Sequence, residues 1–276
     1  MSILISNSAD AAHYLKQNQQ QLQKSLKRLS SGKKISGGGD DPGGLAVSMK
    51  INASIKRLAA AESNVQNGIS FLEVQDGLLE TVGNIVTRIS ELKGLISDDP
   101  LKGASEKATY QAEYEELVSQ FESIEGMTFN GVTLFDDETS SNNDENLNIA
   151  IDDSGSTVEI SLSNLGHSDL AAVFFDTSGT AKNLETGVTV TQLNTALSRV
   201  ASLRAGNGSA QSRMQFTAQS LSLQKNNMTS ALSRIEDIDL AEETANLAKY
   251  SIMTQASAAM VAQANSQNDI ALMLLS

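Results

Sequence analysis

The chain has 276 residues with no Cys, no Trp, two Pro, 4% aromatic residues and a formal net charge of −13. This excludes a disulfide framework and a cysteine-based nucleophile or metal site. The 40% apolar content, much of it Ala, suits long helices packed on one another better than a bulky globular core.

Residues 1–8 read as short and extended, with no basic start, long apolar run or cleavage site. A standard secretory signal is therefore not expected. No stretch approaches the roughly twenty apolar residues that span a bilayer, so no membrane span is expected. Residues 1–60 carry nine Lys/Arg against three Asp/Glu. They lack an aromatic platform or a DNA-binding pattern, so nucleic acid is not an expected partner. From Ala9 a helix is predicted, with Ala12, Leu15, Leu22, Leu26 and Leu29 on one apolar stripe.

The helix cannot run through 28–44, where Gly37, Gly38, Gly39, Gly43 and Gly44 surround Asp40-Asp41-Pro42. This reads as a hinge. An Asp before Pro is a helix-start signal, because the carboxylate caps free amides and Pro suits the first helical position. The helix that follows is long, from Gly44 to about Ser97. Val65, Leu72, Leu79 and Val86 lie seven apart, as do Val82, Ile89 and Ile96. At 1.5 Å per residue it measures about 80 Å. Such a length calls for a coiled-coil partner rather than a globular core.

Asp98-Asp99-Pro100 ends that helix, since Pro disfavours helix in the residue before it. A second amphipathic helix is predicted over about 105–124, with Tyr110, Tyr114, Leu117, Phe121 and Ile124 on one face. Phe129-Asn130-Gly131 reads as a tight turn followed by a short strand or packed loop at Val132, Leu134 and Phe135. Alternating residues around Asp153-Ser154-Gly155 predict a β-hairpin. Phe174, Phe175 and Val188–Val190 suggest further strand or packed loop. Residues 106–185 hold two Lys against seventeen Asp/Glu, a solvated acidic face.

Helix resumes near Thr191, with Met214, Leu221, Met228 and Ile235 seven apart and a weak point at Gly206-Asn207-Gly208. After Ile235-Glu236-Asp237 comes an Ala-rich helix carrying Met253 and Met260 and ending in Ile270, Leu272, Met273, Leu274 and Leu275. It is apolar on more than one side and needs several neighbours. The fold class is thus mainly α: long antiparallel helices in a coiled-coil bundle, with a small β-hairpin region mid-chain. His13 and His167 are isolated, no Cys/His cluster or calcium loop is present, and the glycines do not follow phosphate-loop order. No cofactor, metal or enzymatic activity is expected.

The residues also carry a resemblance. In the first half it rests on Arg28-Leu29-Ser30-Ser31-Gly32, Ile35-Ser36, Asp40-Asp41-Pro42-Gly43-Gly44-Leu45-Ala46, Asn67-Gly68-Ile69-Ser70 and Phe129-Asn130-Gly131. In the second it rests on Leu203-Arg204-Ala205, Ser212-Arg213, Ser233-Arg234-Ile235-Glu236-Asp237 and Met260-Val261-Ala262-Gln263-Ala264-Asn265. Each motif is weak alone, but in this order at both ends they are specific. The chain resembles bacterial flagellins over about 1–135 and 190–276.

The resemblance implies a subunit that self-assembles into the extracellular flagellar filament for swimming. The alternatives are the hook–filament junction protein and, outside this family, a secreted coiled-coil effector or adhesin. It implies inner-tube terminal helices over 1–43 and 236–276, an outer-tube helical domain over 44–135 and 190–235, and a short solvent-facing variable region over 136–189. The assembly interface is expected at Leu15, Leu22, Leu26, Leu29, Met253, Met260, Leu272, Leu274 and Leu275. The spoke between tubes is expected at Gly37, Gly38, Gly39, Asp40, Asp41 and Pro42. Implied partners are further copies in a helical homo-oligomer, the flagellar export apparatus, a carboxyl-terminal secretion chaperone, and the filament cap and junction proteins. Export would proceed without a cleaved signal peptide. Arg88, Leu92 and Glu113 match positions at which some members meet a host innate immune receptor. Val86 and Ser90 depart from that motif, as does the final Ser276 from the usual family ending.

Overall fold

The structure, a computed structural model, describes residues 2–96, 102–136, 146–152, 155–166, 168–176 and 179–275. The order is α1 (Ser2–Ser31), α2 (Pro42–Ile96), α3 (Ala104–Glu125), β1 (Thr128–Phe129), β2 (Val132–Thr133), β3 (Phe135–Asp136), β4 (Leu147–Ala150), β5 (Thr157–Ile160), β6 (Ser163–Asn164), α4 (Ser168–Phe174), α5 (Val190–Glu236) and α6 (Leu240–Leu275). The chain is therefore mainly helical with a few short strands. Its contacts gather into two units, residues 1–55 with 226–276, and residues 56–225.

In the first unit α1 packs along α6. Asn18 meets Ser257, Arg28 faces Glu243 and Lys33 meets Glu236, so one helix ascends as the other descends. The expectation of an extended start is corrected here: α1 begins at Ser2. No Gly or Pro lies between Ser2 and Ser31, so nothing in the backbone prevents the helix from reaching back to the first turn.

In the second unit the heptad positions Val65, Leu72, Leu79, Val82, Val86, Ile89 and Ile96 are all buried. Each contributes about 1.5–3 kcal/mol of transfer free energy. α5 runs antiparallel to this part of α2: Glu62 meets Lys225, Gln75 meets Asn207, and Asp76 meets Arg204. The Gly206-Asn207-Gly208 weak point does not break α5. Asn207 is 5% exposed, and its Nδ2 donates to the Leu72 carbonyl at 3.1 Å and to Gln75 Oε1 at 2.8 Å. Tertiary anchoring thus overrides the glycines' poor helix propensity.

α3 turns Tyr114, Val118, Phe121 and Ile124 inward, whereas Tyr110 and Leu117 are only half-buried. The inward stripe is thus displaced toward Val118. The Asp98-Asp99-Pro100 break lies outside the described residues. Asn130 (φ 52°) and Gly131 (φ 82°) form the tight turn joining antiparallel β1 and β2, the left-handed pair that a two-residue hairpin requires. β4 and β5 form the expected antiparallel hairpin, with Leu147 opposite Ile160; Asp153 and Ser154 at its tip lie outside the described residues. β3 pairs in parallel with β6. Phe174 belongs to α4 rather than to a strand, and its ring stacks on Phe121 at 4.0 Å between centroids. The Tyr114 hydroxyl donates to the Val173 and Phe174 carbonyls and closes this small core. Burial pushes its phenol well above the ordinary range.

Candidate self-assembly interface

The expected interface residues of α1 and α6 are distributed as a half-finished core. Leu15, Leu22 and Leu29 are half-buried, while Leu26 and Met253 are exposed and Met260 is 65% exposed. Tyr14 and Ile252 are exposed with them. Leu272, Leu274 and Leu275 belong to α6 by backbone, and their side chains lie outside the described residues. Among the described residues, the α1/α6 pair therefore leaves several large apolar side chains uncovered. Covering each would contribute on the order of 1–3 kcal/mol.

Polar residues fix the pairing of these helices. Asn18 is buried and donates to Ser257 Oγ at 2.8 Å. The other described buried positions of the pair are Ala11, Ser25, Glu243 and Ser257, and a satisfied buried amide among them disfavours sliding by a turn, because any other register leaves it unpaired. At the lower end the Lys34 amide donates to the Glu236 carbonyl and the Ile238 amide to the Gly32 carbonyl. Lys33 Nζ meets Glu236 Oε2 at 2.6 Å. The lysine hydrogen bond holds Glu236 below its ordinary carboxylate range, and Glu236 in turn raises Lys33. Asp239, which the sequence reading passed over, caps α6: its Oδ1 accepts from the Ala241 and Glu242 amides.

The joint between α1 and α2 is built around the two aspartates. Asp41 is the cap of α2, accepting the Gly44 amide at 2.9 Å. Asp40 instead folds back, accepting the Ser36 amide at 3.1 Å and the Ser36 hydroxyl at 2.9 Å while pairing with Lys24 Nζ at 2.7 Å. Lys24 and Ser36 together hold its carboxyl well below the usual range. Gly37, Gly38 and Gly39 adopt no positive φ; only Gly32 does so in this stretch. Pro42 opens α2 at its first position. Gly44 is needed for space, since a methyl there would overlap the Asp41 carboxylate and lie 2.7 Å from Ile35 Cδ1.

In the second unit, Arg88 Nε donates to Glu113 Oε1 at 2.7 Å, and its Nη1 donates to Glu91 at 2.8 Å. This exposed ion-pair cluster links α2 to α3. Leu92 differs from the other two receptor-matched residues. It is fully buried, whereas the Arg88 and Glu113 side chains reach solvent. A buried amine was also missed. Lys93 is 8% exposed and donates to the Leu184 and Glu185 carbonyls at 3.0 and 2.7 Å, pinning the segment before α5. Among the described residues no group of three or more His, Asp or Glu is placed to hold a metal, and no helix is long and apolar enough to cross a membrane.

Comparison with known proteins completes the picture. The family description "Bacterial flagellin N-terminal helical region" matches residues 5–140, and "Bacterial flagellin C-terminal helical region" matches residues 190–275. A flagellin of Halalkalibacterium halodurans is 33% identical over 263 residues, covering 94% of this chain and 93% of its own. A flagellin of Bacillus subtilis is 32% identical, with 95% of each chain covered. The flagellar filament 30.7 kDa core protein of Treponema maltophilum is 32% identical, with 94% of each covered. The chain belongs to the bacterial flagellin family and is a structural subunit of the flagellar filament.

Proposed function

We propose that the apolar side chains left open on the α1/α6 pair drive polymerisation, with Leu15, Leu22, Leu26, Leu29, Met253, Met260, Leu272, Leu274 and Leu275 as the assembly interface. The observation that carries this is the exposure of Tyr14, Leu26, Ile252 and Met260 on two helices already paired with each other. Residues 1–43 and 236–276 then form the inner tube, 44–135 and 190–235 the outer tube, and 136–189 the solvent-facing region. Gly37, Gly38, Gly39, Asp40, Asp41 and Pro42 form the spoke.

The product is an extracellular filament for swimming, and the chain acts as a structural subunit rather than an enzyme. Its partners beyond its own copies are the flagellar export apparatus, a chaperone for the carboxyl-terminal helix, and the cap and junction proteins. Arg88, Leu92 and Glu113 are the positions at which a host innate receptor would bind, with the Arg88 and Glu113 side chains reaching solvent. The test is salt-induced assembly followed by electron microscopy. The full chain should give long uniform filaments, and a chain ending at Glu236 should give none. Normal filaments from the shortened chain would overturn the reading.

A further inference from the structure

The outward face of α5 carries almost no charge. Between residues 191 and 224 eighteen side chains are exposed, and only Arg213 among them is charged. The rest are Ser, Thr, Asn, Gln, Ala and Gly, with two exceptions: Phe216, 68% exposed, and Leu223, 63% exposed. These two lie seven residues apart on one stripe, away from buried Met214 and Leu221. Arg199 and Arg204 in the same stretch are half-buried rather than exposed. Arg204 pairs with Asp76 and Glu80, and Lys225 pairs with Glu62. α3 shows the contrast, since four of its twelve exposed residues are Glu. Solvated helix faces ordinarily carry charge, whereas small uncharged residues around a few large apolar ones characterise a face that another element covers.

The same unit also holds a surface without any charge. A groove of about 620 Å³ lies between α2 and the two hairpins, with Phe71, Phe129, Val132 and Ile149 in its walls and the amides of Asn64 and Asn67 at its rim. No ionisable side chain lines it, and it shares no residue with the α5 stripe. Its volume accommodates a phenylalanine ring and a leucine side by side.

We propose that Phe216 and Leu223 of one copy seat in this groove of a second copy. This contact rests on the filament-subunit reading and specifies one of its interfaces. The occupant is a second copy for an electrostatic reason. Each copy carries a net charge of −13, so two copies repel unless the surfaces they bring together are themselves free of charge. The groove meets that condition, and the charges beside the stripe, Arg213 and Asp152, are one of each sign. Because stripe and groove are different patches of one subunit, the contact is head-to-tail; it does not close as a two-fold dimer, and in a filament it repeats from copy to copy.

The chain has no cysteine, which makes the test direct. Subunits with Phe216→Cys and Val132→Cys in the same chain are assembled and treated with a short bismaleimide. A ladder of cross-linked oligomers is expected, whereas mixing the two single variants should yield mainly dimers. Cross-linking by Phe216→Cys subunits alone would indicate a two-fold contact and overturn the proposal. So would filaments of normal appearance without any ladder. In parallel, Phe216→Ser/Leu223→Ser should keep wild-type helicity while raising the critical concentration for seeded growth by about one to two orders of magnitude. An unchanged critical concentration would also overturn it. Failure of the wild-type chain to polymerise under any salt condition would instead sink the filament reading on which the contact depends.

Discussion

Gln75 offers the sharpest test of what holds the second unit together. It is 1% exposed; its Nε2 donates to the Leu134 carbonyl at 2.6 Å and its Oε1 accepts from Asn207 at 2.8 Å. One amide thus joins α2, α5 and the segment after β2. Gln75→Leu keeps similar volume, so it leaves little cavity. It does leave the Leu134 carbonyl without that donor, and it removes one of the two acceptors of Asn207 Nδ2. Stranding a buried polar group costs about 1–3 kcal/mol. Because Asn207 retains its bond to the Leu72 carbonyl, the combined loss should be about 2–4 kcal/mol. For a unit of this size that corresponds to a drop of roughly 4–12 °C in melting temperature.

Thermal unfolding followed by circular dichroism measures the drop, and hydrogen exchange at residues 132–136 should show local loosening. A double-mutant cycle with Asn207→Leu separates the pair from its surroundings. The two changes together should cost less than their sum by about 0.5–3 kcal/mol. A melting temperature within about 1 °C of wild type for Gln75→Leu would refute the reasoning, because it would mean the relay contributes nothing net.

Gly44→Ala should destabilise the start of α2 by about 1–2 kcal/mol, since the methyl displaces the Asp41 cap; Gly39→Ala, with open space at the same position, serves as the control. Acid should loosen the joint. Asp40 and Glu236 are both held below their ordinary range, so their stabilisation is complete above about pH 4–5 and disappears as pH falls through their lowered folded values. Hydrogen exchange at residues 33–48 should accelerate there; equal protection at pH 7 and pH 2 would contradict the assignment. Lys93→Met should release the segment before α5 and increase proteolytic cleavage within 181–189 severalfold, because the buried Leu184 carbonyl and the part-buried Glu185 carbonyl lose a charged donor. Unchanged cleavage would count against that role.

The helical architecture was legible because it is local and periodic. Seven-residue spacing at Val65, Leu72, Leu79 and Val86 requires a buried stripe whatever the partner is, and Asn130-Gly131 requires a left-handed turn. The partners themselves are not periodic. Asn18 lies in a run of Gln and Asn, and nothing local distinguishes it from its neighbours as the residue that meets Ser257. Lys93 reads as one more surface cation on a helix, yet its stem is buried and its amine is satisfied by carbonyls some ninety positions away. Leu92 shows the same limit from the other side. A motif can place it beside Arg88, but only tertiary packing decides that it points inward. Phe174 reads as strand or packed loop because aromatic residues favour strands on average, whereas it lies in α4 with its ring stacked on Phe121.

The hydrogen bond between Asn18 and Ser257 joins residues 239 positions apart, and the contacts around it tie the first helix to the last. A chain that appears one end first, whether from a ribosome or through a narrow conduit, therefore cannot finish its first helix pair until almost the whole length has emerged. Closing so wide a loop is slow, and local helices form far sooner than their distant partner arrives. The topology acts as a clock: α1 waits, with one face open, for residues made more than two hundred positions later. A subunit ordered this way becomes competent to join others only when it is complete.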